Sequence, residues 1–344
     1  MYNILSNMIA VQSLTMGAFM QLVGAFALAV VSYQVARPIA YTFQILDIAN
    51  ARKVHSDPTP RTGGVMIFIS FLIMLPLSGL HSWWYVLSLI GIFALGLWED
   101  TTAIRPLMRL FGQVVISSFF VIFGGIIMTN YGIFSMPVML ALPFTIFCIV
   151  GVTNSYNIID GLNGLASGCA VIFFSMMAYV AFQHGEAVLF QSSLIMAGCL
   201  FGFMVFNFPR GKIFLGDGGS YLVGFTVITM TLFAVTQHPD ISPWSFLLMT
   251  ILPVFDTILA IVRRMRQKRS PFRADKKHLH HVLLRRYKSG TKAVVVIWAL
   301  QLAIGSLAVI FHQNTYALLG ILLAAVLLLR RLWLKPTRIA GFTF

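Results

Sequence analysis

Residues 188–236 read VLFQSSLIMAGCLFGFMVFNFPRGKIFLGDGGSYLVGFTVITMTLFAVT. Two runs, 188–207 and 219–236, contain no Asp, Glu, Lys or Arg, and a short segment holding Arg210, Lys212 and Asp217 divides them. A helix needs about 20 apolar residues to cross hydrocarbon. The stretch therefore predicts two spanning helices joined by a polar turn. The same alternation continues in both directions, with spans predicted near 14–36, 65–80, 83–98, 111–129, 136–153, 165–182, 188–207, 219–236, 244–262, 292–311 and 315–334.

The whole chain agrees with that reading. Of its 344 residues, 58% are hydrophobic and 10% charged, and the mean hydropathy is +0.87. Soluble domains carry about 25% charged residues, so a soluble globule is excluded, and so is a disordered chain. The connections left between spans are too short for a large extramembrane domain. The expected fold class is all-α: one integral membrane domain over 1–344, a polytopic transmembrane helical bundle of about 11 spans. Cys148, Cys169 and Cys199 lie in apolar runs without metal or redox spacing and read as small buried hydrophobes. The first ten residues carry no Lys or Arg, so no signal-peptide n-region is expected.

The basic residues set the orientation. Arg37, Arg52, Lys53 and Arg61 fall between the first two spans, Arg105 and Arg109 after the third, and Arg210 and Lys212 after the seventh. Twelve more lie from Arg263 to Lys292, and Arg330, Arg331, Lys335 and Arg338 close the chain, which accounts for all 24 Lys and Arg. All fall on one face, which the positive-inside rule makes cytoplasmic. The N-terminus is then outside and the C-terminus inside, with cytoplasmic loops near 37–64, 99–110, 154–164, 208–218 and 263–291. The net charge of +14 reads as a collar facing anionic headgroups, not as a nucleic-acid footprint.

Eight of the ten carboxylates sit at that same face: Asp47, Asp57, Glu99, Asp100, Asp160, Asp217, Asp256 and Asp275. Acids near hydrocarbon are costly and tend to face a cavity or pathway. Glu186 and Asp240, in outside loops, read as surface residues. Glu99 and Asp100 close the third span, where the helix dipole opposes them, so they call for cations such as Mg2+ or Arg105 and Arg109. Asn154-Ser-Tyr-Asn157-Ile-Ile-Asp160-Gly-Leu-Asn163-Gly has no Lys or Arg, unlike every other inside segment. Gly211-Lys-Ile-Phe-Leu-Gly216-Asp217-Gly-Gly-Ser220 opens the eighth span, where free N–H groups and the dipole favour anions. Asp256 lies about two turns inside the ninth span and reads equally as a site residue or as a structural one, a cap or a buried hydrogen-bond acceptor. His278-Leu-His280-His281 lacks the HExxH spacing of zinc hydrolases and points to phosphate contact together with Lys276 and Lys277.

Together these residues resemble the polyprenyl-phosphate N-acetylhexosamine-1-phosphate transferase superfamily, from about His55 to Arg286. Thr59-Pro-Arg-Thr-Gly-Gly64 looks like its first cytoplasmic motif. Glu99-Asp100 followed by Arg109-Leu-Phe-Gly-Gln113 resembles the acidic pair, and Asn157-Ile-Ile-Asp160-Gly-Leu-Asn163-Gly the NxxDGxDG-type motif. Phe214-Leu-Gly-Asp217-Gly-Gly-Ser220 resembles FxGDxGS, and His278-Leu-His280-His281 the HxHH of the GlcNAc-type branch. The chain departs from the pattern twice: Glu99 replaces the first Asp of the pair, and Asn163 the second Asp of NxxDGxDG.

The resemblance implies transfer of a sugar 1-phosphate, GlcNAc-1-phosphate by preference, from a UDP-N-acetylhexosamine to undecaprenyl phosphate with release of UMP. It implies a bacterial inner membrane, a site facing the cytoplasm, Mg2+ (with Mn2+ able to substitute) and often a homodimer. Asp217 and Asp100 would hold the metal, and Glu99, Asp100, Asp160 and Asp217 would form the catalytic set. Asn154, Asn157, Asn163, Gly216, Lys212, Arg264, His278, His280 and His281 would contact substrates. Two alternatives are a different UDP-N-acetylhexosamine donor and, from another class, a transporter of anionic solutes. Transporters place ion sites near the bilayer midplane, often within inverted repeats, whereas here the acids gather at one face and no repeat stands out.

Overall fold

The computed structural model describes residues 2–47, 58–102, 104–268 and 278–334, with side chains described from residue 16 to 333. Arg52, Lys53, His55, Asp57, Asp275, Lys276, Lys277, Lys335 and Arg338 lie outside the described residues. The chain folds as α1 (Tyr2–Thr42), α2 (Gly63–Met74), α3 (Trp83–Thr101), α4 (Pro106–Gly124), α5 (Val138–Ile159), α6 (Leu165–Gln183) and α7 (Ala187–Asn207). It continues as α8 (Gly216–Gln237), α9 (Pro243–Met249), α10 (Ile251–Arg266), α11 (Leu279–Tyr287), α12 (Gly290–Ile310) and α13 (Thr315–Leu334). A 3-10 turn, Leu75–Ser78, extends α2. The strands described are the short antiparallel pair β1 (Leu46–Asp47) and β2 (Thr59–Pro60).

The bundle is all-α. Among the described residues eight helices are long and apolar enough to cross a membrane, or nine when α9 and α10 count as one bent span. Each of the eleven expected spans coincides with a helix or a broken helix. The second is short, and α3 spends its last turn on Glu99, Asp100 and Thr101. All three cysteines are free, with Cys169 and Cys199 buried.

The core sits around α8, whose whole apolar stretch is buried against α2, α3, α5, α6 and α7. A helix apolar on every side is stable only when surrounded. The outer helices α1, α4 and α13 bury far less of themselves and present Phe19, Met20, Phe111, Ile122 and Leu323 outward, as lipid contact requires. Because α8 begins at Gly216, the Asp217 motif sits at the end of the central post, where several helix ends meet.

Three expectations need correction. The segment 154–164 is not all loop: α5 runs through Asn154 and Asn157 to Ile159. The helix continues because its amides find partners; Asn154 Nδ2 donates to Val150 O at 2.8 Å and Gln113 Oε1 at 2.6 Å. The ninth span is not one straight helix: α9 and α10 meet at 85°. On the face opposite the motifs, Glu186 and Asp240 are not bare surface charges. Glu186 meets His238 at 2.7 Å and Asp240 meets His184 at 3.2 Å.

Candidate active site

Asp100 is built into the start of α8. Gly96 lets α3 approach so closely that a Cβ there would stand 2.6 Å from Asp217 O. One turn later, Asp100 Oδ1 and Oδ2 accept the backbone N–H groups of Asp217 and Gly218, each at 2.9 Å. These are orphan donors of a helix N-terminus, and a carboxylate there is favoured by the dipole. Gly216 occupies the left-handed region at φ 75°, and a Cβ would strike Arg61 O and come within 2.8 Å of Asp100 Oδ2. The approach needs glycine at both points.

The first motif is tied to the same place through its backbone. Phe214 N donates to Pro60 O at 2.7 Å, Gly63 N to Phe214 O and Gly64 N to Leu215 O, both at 2.8 Å. That short ladder delivers Arg61, whose Nη2 lies 3.2 Å from both Asp100 Oδ1 and Asp217 Oδ2. On the other side, Asn157 Nδ2 donates to Asp217 Oδ1 and, at 3.0 Å, to Ser220 Oγ. Asp217 is thus gripped by a cation and an amide. Asp160 caps the end of α5 and has no hydrogen-bond partner among the described residues.

The charge balance is lopsided. Asp100, Asp160 and Asp217 face Arg61, and burial with mutual repulsion pushes the Asp100 and Asp160 carboxyls up to about 7. Asp100, in the last turn of α3, lies past the expected span 83–98, and Asp160 follows the last residue of α5. Arg61 and two backbone N–H groups only partly offset this at Asp100. A further cation fits such a cluster. Among the described residues no three acidic or thiol or imidazole groups form a ready cage for a metal. The donors match Mg2+, which takes one or two carboxylates and completes its shell with water and phosphate oxygens.

A cavity of about 750 Å³ opens over this cluster, lined by Asp47, Arg61, Asn157, Asp160, Asn163 and Asp217 among others. A second cavity of about 810 Å³ lies across Gly161, which borders both. Its walls are Leu110, Val114, Ile146, Phe147, Val150, Ile158 and Ile261, and one end gathers Arg109, Arg264, His278, His280 and His281. His278 is held by Asp256, whose carboxylate accepts from His278 Nδ1 at 2.9 Å and from the Leu279 N–H at 2.8 Å. The buried acceptor thus orients the motif and caps α11. His280 packs over Gly161, where a Cβ would come 2.5 Å from Nε2. Burial and the neighbouring His281 push His280 down to about 3, which favours the neutral ring.

The expected site residues therefore divide. Asp100, Asp160, Asp217, Asn157 and Gly216 converge on one cluster. Asn163 lines the same cavity and donates to Pro209 O at 3.1 Å. Asn154, Arg264 and the three histidines line the second cavity. Glu99 lines neither; it pairs with Arg109 at 3.6 Å, and burial raises its carboxyl against that pairing. Lys212 is exposed and outside both linings. Arg61 is a site residue that sequence reasoning left without a role. It is the one charge in a motif otherwise of Thr, Pro and Gly, which was the available signal.

Comparison with known proteins adds a consistent picture. The description "Glycosyl transferase family 4" matches residues 82–235. The chain is 32% identical over 319 residues to the decaprenyl-phosphate N-acetylglucosaminephosphotransferase of Mycolicibacterium smegmatis, covering 80% of this chain and 78% of that one. It is 29% identical over 314 residues to a probable undecaprenyl-phosphate N-acetylglucosaminyl 1-phosphate transferase of Bacillus subtilis, 86% of each. It is also 29% identical over 295 residues to the undecaprenyl-phosphate alpha-N-acetylglucosaminyl 1-phosphate transferase of Escherichia coli K12, 80% of each.

Proposed function

Since the chain belongs to glycosyl transferase family 4, the polyprenyl-phosphate N-acetylhexosamine-1-phosphate transferases, we propose that it transfers GlcNAc-1-phosphate from UDP-GlcNAc to undecaprenyl phosphate, releasing UMP. The observation that carries this is the pair of cavities meeting at Gly161. One is polar and acidic, suited to a nucleotide diphosphate with a cation. The other is an apolar lane ending in Arg109, Arg264 and three histidines, suited to a lipid tail bearing a phosphate. A soluble donor and a membrane acceptor need such a junction.

The donor diphosphate lies over Arg61, Asn157, Asp160 and Asp217, with Asn163 at the rim. The acceptor phosphate enters past His280 and Gly161. Asp217 and Asp160 are the residues to hold Mg2+, with Asp100 behind them fixing the N-terminus of α8. Mg2+ bound there would neutralise charge on the diphosphate and the leaving group. The acceptor oxygen attacks the sugar-bearing phosphorus, and the bond from that phosphorus to the UMP oxygen breaks. A phosphate monoester has a second pKa near about 6, so at neutral pH it is chiefly dianionic and needs no strong base. We favour this direct route over a carboxylate-linked intermediate. The basic loops support a site at the cytoplasmic face, and the bacterial relatives support an inner-membrane location.

The test uses purified protein, Mg2+ and undecaprenyl phosphate with a panel of UDP-N-acetylhexosamines, reading UMP release. Turnover with UDP-GlcNAc supports the reading, and turnover confined to another donor replaces the sugar. Exchange of labelled UMP into UDP-sugar without acceptor would overturn the direct route.

A further inference from the structure

The sharpest irregularity in the bundle is the 85° break between α9 and α10. A broken helix inside hydrocarbon leaves backbone groups that other elements must satisfy. Here Gln301, fully buried midway along α12, donates from Nε2 to Met249 O at 2.8 Å. Met249 is the last residue of α9. The same amide donates to Cys169 O on α6 at 3.1 Å. At the next residue, the Thr250 hydroxyl pairs with the phenol of Tyr156 at 2.9 Å. Tyr156 is fully buried on α5, one residue before Asn157. Gln301 Oε1 finds no partner among the described residues. A buried amide with one idle end is a poor choice for packing alone, so its donors are what the position uses.

The break decides where α10 points. Asp256, Thr257, Ile261 and Arg264 all lie on α10. The last three line the second cavity, and no α10 residue lines the first. Asp256 in turn holds His278 and the start of α11. We infer that Gln301 and Tyr156 are positioning residues that pin the break and so set the geometry of the second cavity and its histidines, leaving the donor cavity untouched. The inference rests on the assignment of that second cavity to the lipid acceptor.

Two near-isosteric variants test it, Gln301→Met and Tyr156→Phe, each removing hydrogen bonds and little volume. Loss of one such bond corresponds to about tenfold in an equilibrium constant. The KM for undecaprenyl phosphate is expected to rise about tenfold in each variant, with the KM for the UDP-sugar unchanged. A spin-label pair at Arg266→Cys and Lys292→Cys, in a background lacking the native cysteines, should report a shifted or broadened α10 to α12 distance. A purely structural role would lower the active fraction or melting temperature and leave both KM values and the distance as they were. That result, or equal changes in both KM values, overturns the inference. A wild-type protein inactive with every donor would sink the proposed reaction instead, and the label distances would still decide the pin.

Discussion

Gly96→Ala concentrates the logic of the site in one methyl group. Its Cβ would stand 2.6 Å from Asp217 O and from Gly218 Cα, both backbone, where ordinary contact begins at 3.4 Å. Neither partner is a flexible side-chain end, so α3 must retreat from α8 by most of an ångström. Asp100 rides one turn further along α3, and its two hydrogen bonds to the α8 N-terminus start at 2.9 Å. Moved by the same distance, both pass the length at which a hydrogen bond ceases to count. Bonds to a charged group contribute about 1.5–3 kcal/mol each, so losing both costs on the order of 3–6 kcal/mol, less whatever relaxation recovers. Gly91→Ala on the same helix is the control, since its Cβ would meet only the Ile116 side chain at 3.4 Å or more. Replacing glycine by alanine within a helix gains up to about 1 kcal/mol, so that variant should match or exceed wild-type stability. The assay is UMP release with thermal unfolding in detergent: Gly96→Ala should lose at least about a hundredfold in kcat and melt lower. If the two variants behave alike, the close crossing of α3 and α8 is not what seats Asp100, and the reasoning fails.

Asp217→Asn keeps the shape but removes the charge that Arg61 and a cation share; UMP release should fall by at least about a hundredfold, measured against unchanged folding. Asp100 and Asp160 have folded-state pKa values near 7, above those of the unfolded chain, so the stability they lend is complete below about pH 4 and is lost as the pH rises through 7. In chelator, the melting temperature should therefore fall from pH 5 to pH 8, and Mg2+ should restore more of it at pH 8; a profile that is flat or rises with pH contradicts the lopsided charge balance. Asp256→Ala strands His278 Nδ1 and the Leu279 N–H, a cost of about 1–3 kcal/mol. Hydrogen exchange should show α11 opening well before the spans, and protection equal to wild type would show that Asp256 is not its anchor.

The polar residues of this chain were legible because the rest of it is hydrocarbon-like. Where charged residues are so few, each acid is costly near lipid; eight acids stood out at one face by contrast, and the motif resemblance picked Asp100, Asp160 and Asp217 from among them. The span positions followed from the length of apolar runs. The end of α5 was harder, because an asparagine reads as loop until the Gln113 and Val150 partners of Asn154 are seen. The roles of Glu99 and Lys212 were not legible either, because spacing along a chain does not say which way a side chain faces.

What the sequence alone determined is the membrane bundle, the gathering of motifs at one face and the family resemblance, since these depend on composition, run length and local residue order. Only the tertiary structure decided that Asp100 seats α8, that Arg61 joins Asp217, and that the histidines line a second cavity across Gly161. Those facts depend on backbones approaching within a methyl group of one another and on an 85° break pinned from two other helices. Each such contact joins residues tens to more than a hundred positions apart, a distance over which local propensity carries no information.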